Sequence, residues 1–510
     1  MRKLNVYIRG VLAGDIVQDS FGDASFAYRP EYDGVEWSVT MPVSSHEQFG
    51  REVLLPIIAG LLPDNSEVRD SMIARVGGTY SRDNYIRLIE DYGKDLPGAV
   101  QIVPDGYDFG DAPNTYIPVT DQQIASRLEQ TLSTGKKRPE WQAENERWSL
   151  GGNQGKVALM RNSVGWFSCE GAAASNVIVK PGIEDMDYQA LNEAVCLRLA
   201  ANVGLPAANI EYRSFDGFGA IVVERYDRLQ RGDFAIERLH QEDLCQATST
   251  MPSKKYTEDC GPSYVTIVKL LERSAGPESV DRFIDALLYN YLIGATDAHA
   301  KNYSLLHMEP GRTELAPLYD VASILPYHKG LNEITNRRKV YKTAMSIGGE
   351  NRIGHLRGSV IDRFANNIGI SPSETKDRIE SLTLRIEGCL VETVGEFRNA
   401  DGIEELAHRL VPRIESLCRA TRSNLGSTAH SMTVPDLYAL PPFAKTLERL
   451  GLERGTGKRA TAIPHPTEDA LPYKLRITET WYAEHPEAAE QERGSIEHTP
   501  PTGRRRGPRT

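Results

Sequence analysis

Apolar and polar residues alternate along 4–17, where Val6, Ile8 and Val11 are apolar, and along 34–42, with Val35, Trp37, Val39 and Met41. That two-residue period predicts half-buried strands. The period then lengthens. From Gln48 to Leu62 the residues Val53, Leu54, Ile57, Ile58, Leu61 and Leu62 recur at helical spacing, and Asn84–Tyr92 repeats this with Tyr85, Leu88 and Ile89. A strand at Ala99–Val103 follows Pro97-Gly98 and closes an α+β unit of ordinary domain size. Residues 104–145, rich in Asp, Pro, Gly, Gln and Ser, predict loop and linker with one short helix around Asp121–Thr131.

Beyond the linker, Ser149-Leu150-Gly151-Gly152-Asn153-Gln154-Gly155-Lys156 predicts a glycine-rich turn feeding a strand, Val157–Met160. Another strand, Asn176–Lys180, precedes a helix over Asp187–Val203 with Leu191, Val195 and Leu199 on its apolar stripe. Ala220–Asp227 is an apolar strand that turns polar at Glu224, as a hinge between two lobes would. From Gln241 onward the pattern is helical, and Phe283, Ile284, Leu287, Leu288, Tyr291 and Leu292 make a strongly apolar helix running into Gly294–Asn302. Two short strands, Tyr303–His307 and Leu315–Val321, come next. Ser371, Pro372 and Glu374 form a helix start for 372–396; a helix over 402–420 and a linker at Ser423–Thr428 complete the patterned part.

Composition narrows the classes. With 510 residues, 40% of them hydrophobic and 25% charged, the chain can build two or three domains. A formal net charge of -11 argues against nucleic acid as the main partner. The six cysteines are scattered, without a C-x-x-C pair, so reduced thiols and no zinc site are expected. Neither a signal-peptide core nor a bilayer-spanning apolar run is present, and a cytoplasmic, membrane-free protein is expected. Past 430, proline and charge dominate; Arg504, Arg505, Arg506 and Arg509 end a stretch read as a partly disordered extension with a solvated tip.

The candidate chemistry lies in an ordered set of residues. Asp297 and Asn302 have the spacing of a kinase catalytic loop, in which Asp takes the acceptor proton and Asn holds magnesium. Alone, the same residues suit a turn. Lys180 ends a strand where a kinase keeps its phosphate-binding lysine, and Glu193 is the helical glutamate that could pair with it or simply face solvent. Asp320 follows the strand pair where the principal magnesium ligand stands. The 149–156 turn suits a hairpin equally well and matches neither a Walker A loop nor G-x-G-x-x-G. Phosphoryl transfer needs all these parts, because positioning and charge neutralisation supply most of its catalysis.

In this order the residues resemble the HipA family of bacterial serine/threonine-protein kinase toxins. Asp95–Gln101, Ser149–Lys156, Val223–Arg228, Gln241–Gln246, Ile293–Asn302 and Tyr319–Val321 carry the likeness, which runs through most of residues 1–420. The resemblance implies an α+β, two-lobed protein-kinase-like fold related to the phosphatidylinositol 3/4-kinases. Its divisions would be an N-terminal α+β subdomain over 1–105, a linker over 106–145, an ATP-binding lobe over 146–228, a mostly helical catalytic lobe over 229–425 and an extension over 426–510. It implies ATP and Mg2+ as cofactors, Asp297 as catalytic base, and Asn302 and Asp320 as metal holders. Residues 150–156, Lys180, Glu224, Arg225, Tyr226, His299, Lys301, Asn302 and Asp320 would line the ATP site. Ser149 matches a serine that such toxins autophosphorylate, although a hydroxyl capping a turn explains it as well.

The family's partners are a helix-turn-helix antitoxin of the HipB type, operator DNA reached through it, and a protein substrate such as an aminoacyl-tRNA synthetase. Gly155 stands where relatives commonly carry Glu, and Ala298 where some carry Gly. Two other readings stay beside the kinase toxin: a non-catalytic co-regulator of its own operon, and a small-molecule or lipid kinase suggested by the D-x-H-x-x-N form of the loop.

Overall fold

The computed structural model describes residues 1–109, 114–132, 146–152, 154–327 and 341–426. The alternation over 4–17 is two strands, β1 (Arg2–Ile8) and β2 (Val11–Gln18), turned about Arg9 and Gly10 at φ 50° and 77°. Apolar residues stand on both sides of a two-residue hairpin turn, so the pair was expected as one long strand; Val11 is in fact exposed, and the register shifts between Val6 and Tyr7. Residues 34–42 are a loop rather than a strand: Val35, Trp37 and Met41 are buried, and the Tyr28 phenol accepts from the Trp37 N–H and donates to the Met41 carbonyl at 2.7 and 2.8 Å. The strand sequence did not reveal is β3 (Ala24–Tyr28), followed by the short β4 (Gln48–Phe49).

α1 (Arg51–Gly60) and α3 (Tyr85–Tyr92) lie where the periodicity put them, and β5 (Val100–Pro104) closes a sheet ordered β4-β3-β2-β1-β5. Between the helices lies α2 (Ser66–Arg75), capped by the Asn65 side chain. Its buried face is only Arg69, Met72 and Ile73, too narrow a stripe to register as a pattern.

The second sheet is ordered β10-β11-β9-β7-β8-β6, from β6 (Thr115–Pro118), β7 (Val157–Arg161), β8 (Trp166–Glu170), β9 (Val177–Pro181), β10 (Ile210–Phe215) and β11 (Phe218–Glu224). The expected short helix is α4 (Asp121–Leu132), and it packs Ile124 and Leu128 against Val157, Val179 and Phe215. α5 (Gln189–Asn202) runs between this sheet and the helical core, buried along nearly its whole length.

From Gln241 the chain is at first extended, not helical. β12 (Arg228–Gln230) and β13 (Ile236–Arg238) form a ribbon, and β14 (His240–Asp243) joins β15 (Ser304–Glu309) and β16 (Arg312–Leu315) in a three-stranded sheet. The buried alternate positions of β14 are His240 and Glu242, so its period is written in polar residues and escapes a hydrophobicity reading. α6 (Tyr264–Ser274) and α7 (Gly276–Leu292) follow. The strand expected over Leu315–Val321 stops at Leu315; Pro317 offers no N–H to a ladder, and Asp320 adopts φ 59°.

The helix Pro372–Glu396 begins as predicted, with the Ser371 hydroxyl accepting from the Glu374 N–H at 3.3 Å. Ile403–Leu425 outruns its predicted end and takes in Ser423, which was read as linker. The extension, apart from Gly426, lies outside the described residues, as does Asn153. Among the described residues no helix is long and apolar enough to cross a membrane.

A buried charge cluster ties the first sheet's unit to the rest. Asp95 accepts from Ser175 at 2.6 Å and from Arg228 at 2.9 Å, and lies 3.4 Å from both Arg225 and Arg238. Gly98, at φ 78°, donates to Asp227 at 2.6 Å, and a Cβ there would sit 2.7 Å from the Gln241 nitrogen. Only glycine allows so close an approach in that conformation.

Candidate active site

α7 delivers its last turn to Gly294, whose φ of 72° redirects the chain beneath Leu325. The following loop folds on itself: the His299 N–H donates to the Asp297 carbonyl at 2.8 Å, and Asn302 Nδ2 donates to the same carbonyl at 2.9 Å. Nδ2 also lies 3.5 Å from the Asp320 carbonyl, so one amide joins the loop to the segment carrying Asp320. Asp297 itself stands at the surface, its side chain 71% exposed. Partial desolvation and the nearby Asp320 and Asp64 charges raise its carboxyl above the ordinary value, against the pull of Tyr256 and Lys255.

Lys180 is the centre of the charge arrangement. Its Nζ lies 2.7 Å from Glu193 Oε1 and 2.7 Å from Asp320 Oδ1. Glu193, no solvated helix residue, is buried. Burial alone would lift the Asp320 carboxyl, but Lys180 and Lys156 overcome it and hold the group ionised far below the usual carboxylate range. For Glu193 burial wins, and its carboxyl is raised despite Lys180.

The Ser149–Lys156 segment is seated against the N-terminal unit. Ser149 is buried, its hydroxyl donating to the Leu61 carbonyl at 2.9 Å and its N–H to Asp95 at 3.0 Å. Leu150 is buried beside it, and a Cβ on Gly151 would lie 2.6 Å from the Gly60 carbonyl oxygen. The Gly152 carbonyl accepts from the Asp64 N–H at 3.0 Å. Gln154 reaches Pro181 and Gln189 at 3.3 and 3.2 Å. Gly155 packs against α4, where a Cβ would sit 2.6 Å from that of Thr131. Lys156 donates to the Gly151 carbonyl at 2.6 Å, and burial lowers its ammonium to about 8.

The other expected site residues are each held by named partners. Arg225 is fully engaged with Asp95, Asp227 and Ser175 and turns its guanidinium into the buried cluster, away from the Lys180 centre. Glu224 pairs with Arg161 at 3.2 Å and accepts from Asn209 at 3.0 Å. Tyr226 does face Tyr319, with ring centroids 5.7 Å apart, and donates to Gln241. Lys301 is buried and bonds Asp64 at 2.6 Å. His299 is buried and neutral, lowered by desolvation to about 3, with Nε2 3.9 Å from Asp297.

Sequence reasoning missed three residues here. Tyr256 donates its phenol to Asp297 Oδ1 at 2.7 Å. Asp64, from the N-terminal unit, binds Lys255 at 3.0 Å as well as Lys301, and those two cations hold its carboxyl down at about 2 against the effect of burial. None of the three belongs to a spaced motif, so no local pattern marks them.

Among the described residues no cluster of three or more His, Cys, Asp or Glu side chains could hold a metal alone. The donor set still suits Mg2+: the Asp320 carboxylate and the Asn302 amide oxygen are hard oxygens on segments that the Asn302 Nδ2 contact keeps close, and Mg2+ takes one or two such ligands and completes its shell with water and substrate phosphate.

The HipA N-terminal domain model matches residues 4–103, and the HipA-like C-terminal domain model matches residues 148–389. Y4mE of Sinorhizobium fredii is 32% identical over 75% of this chain and 89% of its own length. The chain belongs to the HipA family. The serine/threonine-protein kinase toxin HipA of Shewanella oneidensis is 26% identical over 77% of this chain and 89% of its own length. The fold agrees: the HipA of Shewanella oneidensis MR-1, solved with HipB and operator DNA, superposes with a TM-score of 0.71 at 24% identity, covering 83% of this chain and 98% of that one. The two matched domains meet at Asp64, which bonds Lys301, and at Asp95, whose carbonyl accepts from the Ser149 N–H.

Proposed function

We propose that this HipA-family enzyme is an ATP- and Mg2+-dependent serine/threonine-protein kinase serving as the toxin of a toxin–antitoxin module. The observation carrying this reading is the double engagement of Lys180 by Glu193 and Asp320, with Asn302 joining the Asp297 and Asp320 backbones. Lys180 would meet the ATP phosphates, Asp297 would accept the acceptor proton, and Asn302 with Asp320 would hold Mg2+. Bound there, Mg2+ neutralises charge on the phosphates. The D-x-H-x-x-N form of the loop supports a relation to the phosphatidylinositol kinases.

In the transfer, the acceptor hydroxyl gives its proton to Asp297 as its oxygen bonds the γ-phosphorus. The bond to the bridging oxygen breaks and its electron pair leaves on ADP. Ser149 is the proposed autophosphorylation site. Its burial against Leu61 means that the loop must leave its seat before the hydroxyl can react, and phosphorylation would then keep it out. Adenine would take backbone groups near Glu224 and Tyr226. By analogy with the relative solved with HipB and operator DNA, a helix-turn-helix antitoxin is the partner, and a net charge of -11 suits contact with DNA through it. An aminoacyl-tRNA synthetase in the cytoplasm is the proposed target.

Incubating dephosphorylated protein with labelled ATP and a cell extract tests the reading. Label should enter the chain and an extract protein, and Asp297→Ala or Asp320→Ala should abolish it. A wild type that binds Mg-ATP yet labels nothing would instead support the operon co-regulator.

A further inference from the structure

The hydroxyl on Asp297 in this structure belongs to the chain itself. Tyr256 places its phenol oxygen 2.7 Å from Asp297 Oδ1, and the Asp297 side chain is otherwise open to solvent. An acceptor serine or threonine must donate a hydrogen bond to this carboxylate before transfer, so the phenol stands where the acceptor oxygen has to go.

The segment bearing Tyr256 is held firmly. Lys255 is bound to Asp64 at 3.0 Å, the Gly261 N–H donates to the Tyr256 carbonyl at 2.9 Å, and Glu258 accepts from Lys342 and Asn351 at 2.5 and 2.9 Å. A Cβ at Gly261 would lie 2.2 Å from the Lys254 carbonyl oxygen, so the turn closes tightly. The Tyr256 ring rests edge-on against His299, centroids 5.2 Å apart. With the backbone pinned and Tyr256 only half-buried, rotation of its side chain is enough to clear the base.

The geometry points to Tyr256 as a positioning residue that caps the proposed base Asp297 in the acceptor-free kinase and yields its place to the acceptor hydroxyl. This rests on the reading of Asp297 as base. The cap has a chemical use. Water on Asp297 could give up its proton to the carboxylate while its oxygen bonds the γ-phosphorus and the bridging bond breaks to release ADP, spending ATP without an acceptor. The phenol occupies the place on Oδ1 that such a water would take, and the ring that carries it is braced by His299.

Tyr256→Phe keeps the ring and removes the donor. With dephosphorylated casein as acceptor, its KM for casein should fall about three- to tenfold, the worth of one ordinary hydrogen bond at an exposed carboxylate, while kcat and the KM for ATP stay within about twofold. Acceptor-free ATP hydrolysis should rise by a similar factor. A fallen kcat, or an unchanged casein KM with unchanged hydrolysis, overturns the cap. If the variant melts below the assay temperature, or casein proves no acceptor, 3-fluorotyrosine at position 256 serves instead. Being the stronger donor, it should lower acceptor-free hydrolysis. Its fluorine resonance in nucleotide-free protein should move on Asp297→Asn, and a resonance indifferent to that change rules out the contact. Asp297→Asn also separates the two readings: if it still transfers phosphate, the base assignment fails whatever Tyr256 does.

Discussion

Asp64 and Lys301 are 237 positions apart in the chain and 2.6 Å apart in space. The contact crosses from the N-terminal domain to the catalytic loop, and the same aspartate takes Lys255 and offers its N–H to Gly152. One residue thus touches the loop expected to hold ATP phosphate and the loop expected to hold the base.

Asp64→Asn should destabilise the protein by about 2 kcal/mol, because it leaves a buried ammonium with weaker compensation at a site that solvent partly reaches. Chemical denaturation at neutral pH measures this. The pH dependence has a definite sign. The Asp64 carboxyl falls from 3.8 to about 2 on folding, so its contribution is complete above pH about 4 and disappears as pH drops towards 2. The gap between wild type and variant should therefore close over that window.

Arg225→Met separates a structural arginine from a nucleotide-binding one. Asp95 and Asp227 would lose a cation inside the protein, and a loss of about 3–5 kcal/mol is expected for a broken buried network. ATP affinity of the protein that remains folded, measured by calorimetry, should change less than threefold. A tenfold loss of affinity with ordinary stability would put Arg225 back in the adenine site.

Gly155→Ala should weaken ATP binding, since the added methyl meets Thr131 and must push the proposed phosphate-binding segment off α4. Overpacking of this kind costs about 1–3 kcal/mol. The double change Gly155→Ala with Thr131→Gly should recover part of the affinity, since the Thr131 carbonyl oxygen, 2.9 Å from the added carbon, stays; independent effects in the cycle would refute the contact.

Ser149→Ala loses one hydrogen bond to Leu61, worth about 1 kcal/mol, and should keep transfer to substrate while losing self-inactivation. Growth recovery after a pulse of expression reads this out. Recovery equal to that of the wild type counts against the switch.

The parts of the site that follow a kinase's spacing were legible because each lies on or beside a strongly patterned element. The apolar stripe of α7 announced the loop that carries Asp297, and the aliphatic run of β9 announced Lys180. Glu193 was visible as a residue but not as a buried one, since burial depends on what packs over α5. Tyr256 and Asp64 were invisible for a related reason: their chemistry comes from contacts across 41 and 237 positions, and no local period encodes such a meeting. In the fold, β14 was misread as helix because its inward residues are His240 and Glu242, which a hydrophobicity pattern counts as outward. Arg225 was read as an adenine-site residue, yet its side chain answers to Asp95, which lies 130 positions earlier in the chain.

The seat of Ser149 on Leu61 and Asp95 has a bearing on inheritance as well as chemistry. The N-terminal domain holds the carbonyls that Ser149, the proposed switch serine, grips, so an insertion or deletion there would alter the C-terminal half without touching its sequence. Selection for harmless variants should accordingly collect lesions at 61, 64 and 95 together with those at 297 and 320. The two halves would then be expected to travel through lineages as a single gene, seldom exchanged one without the other.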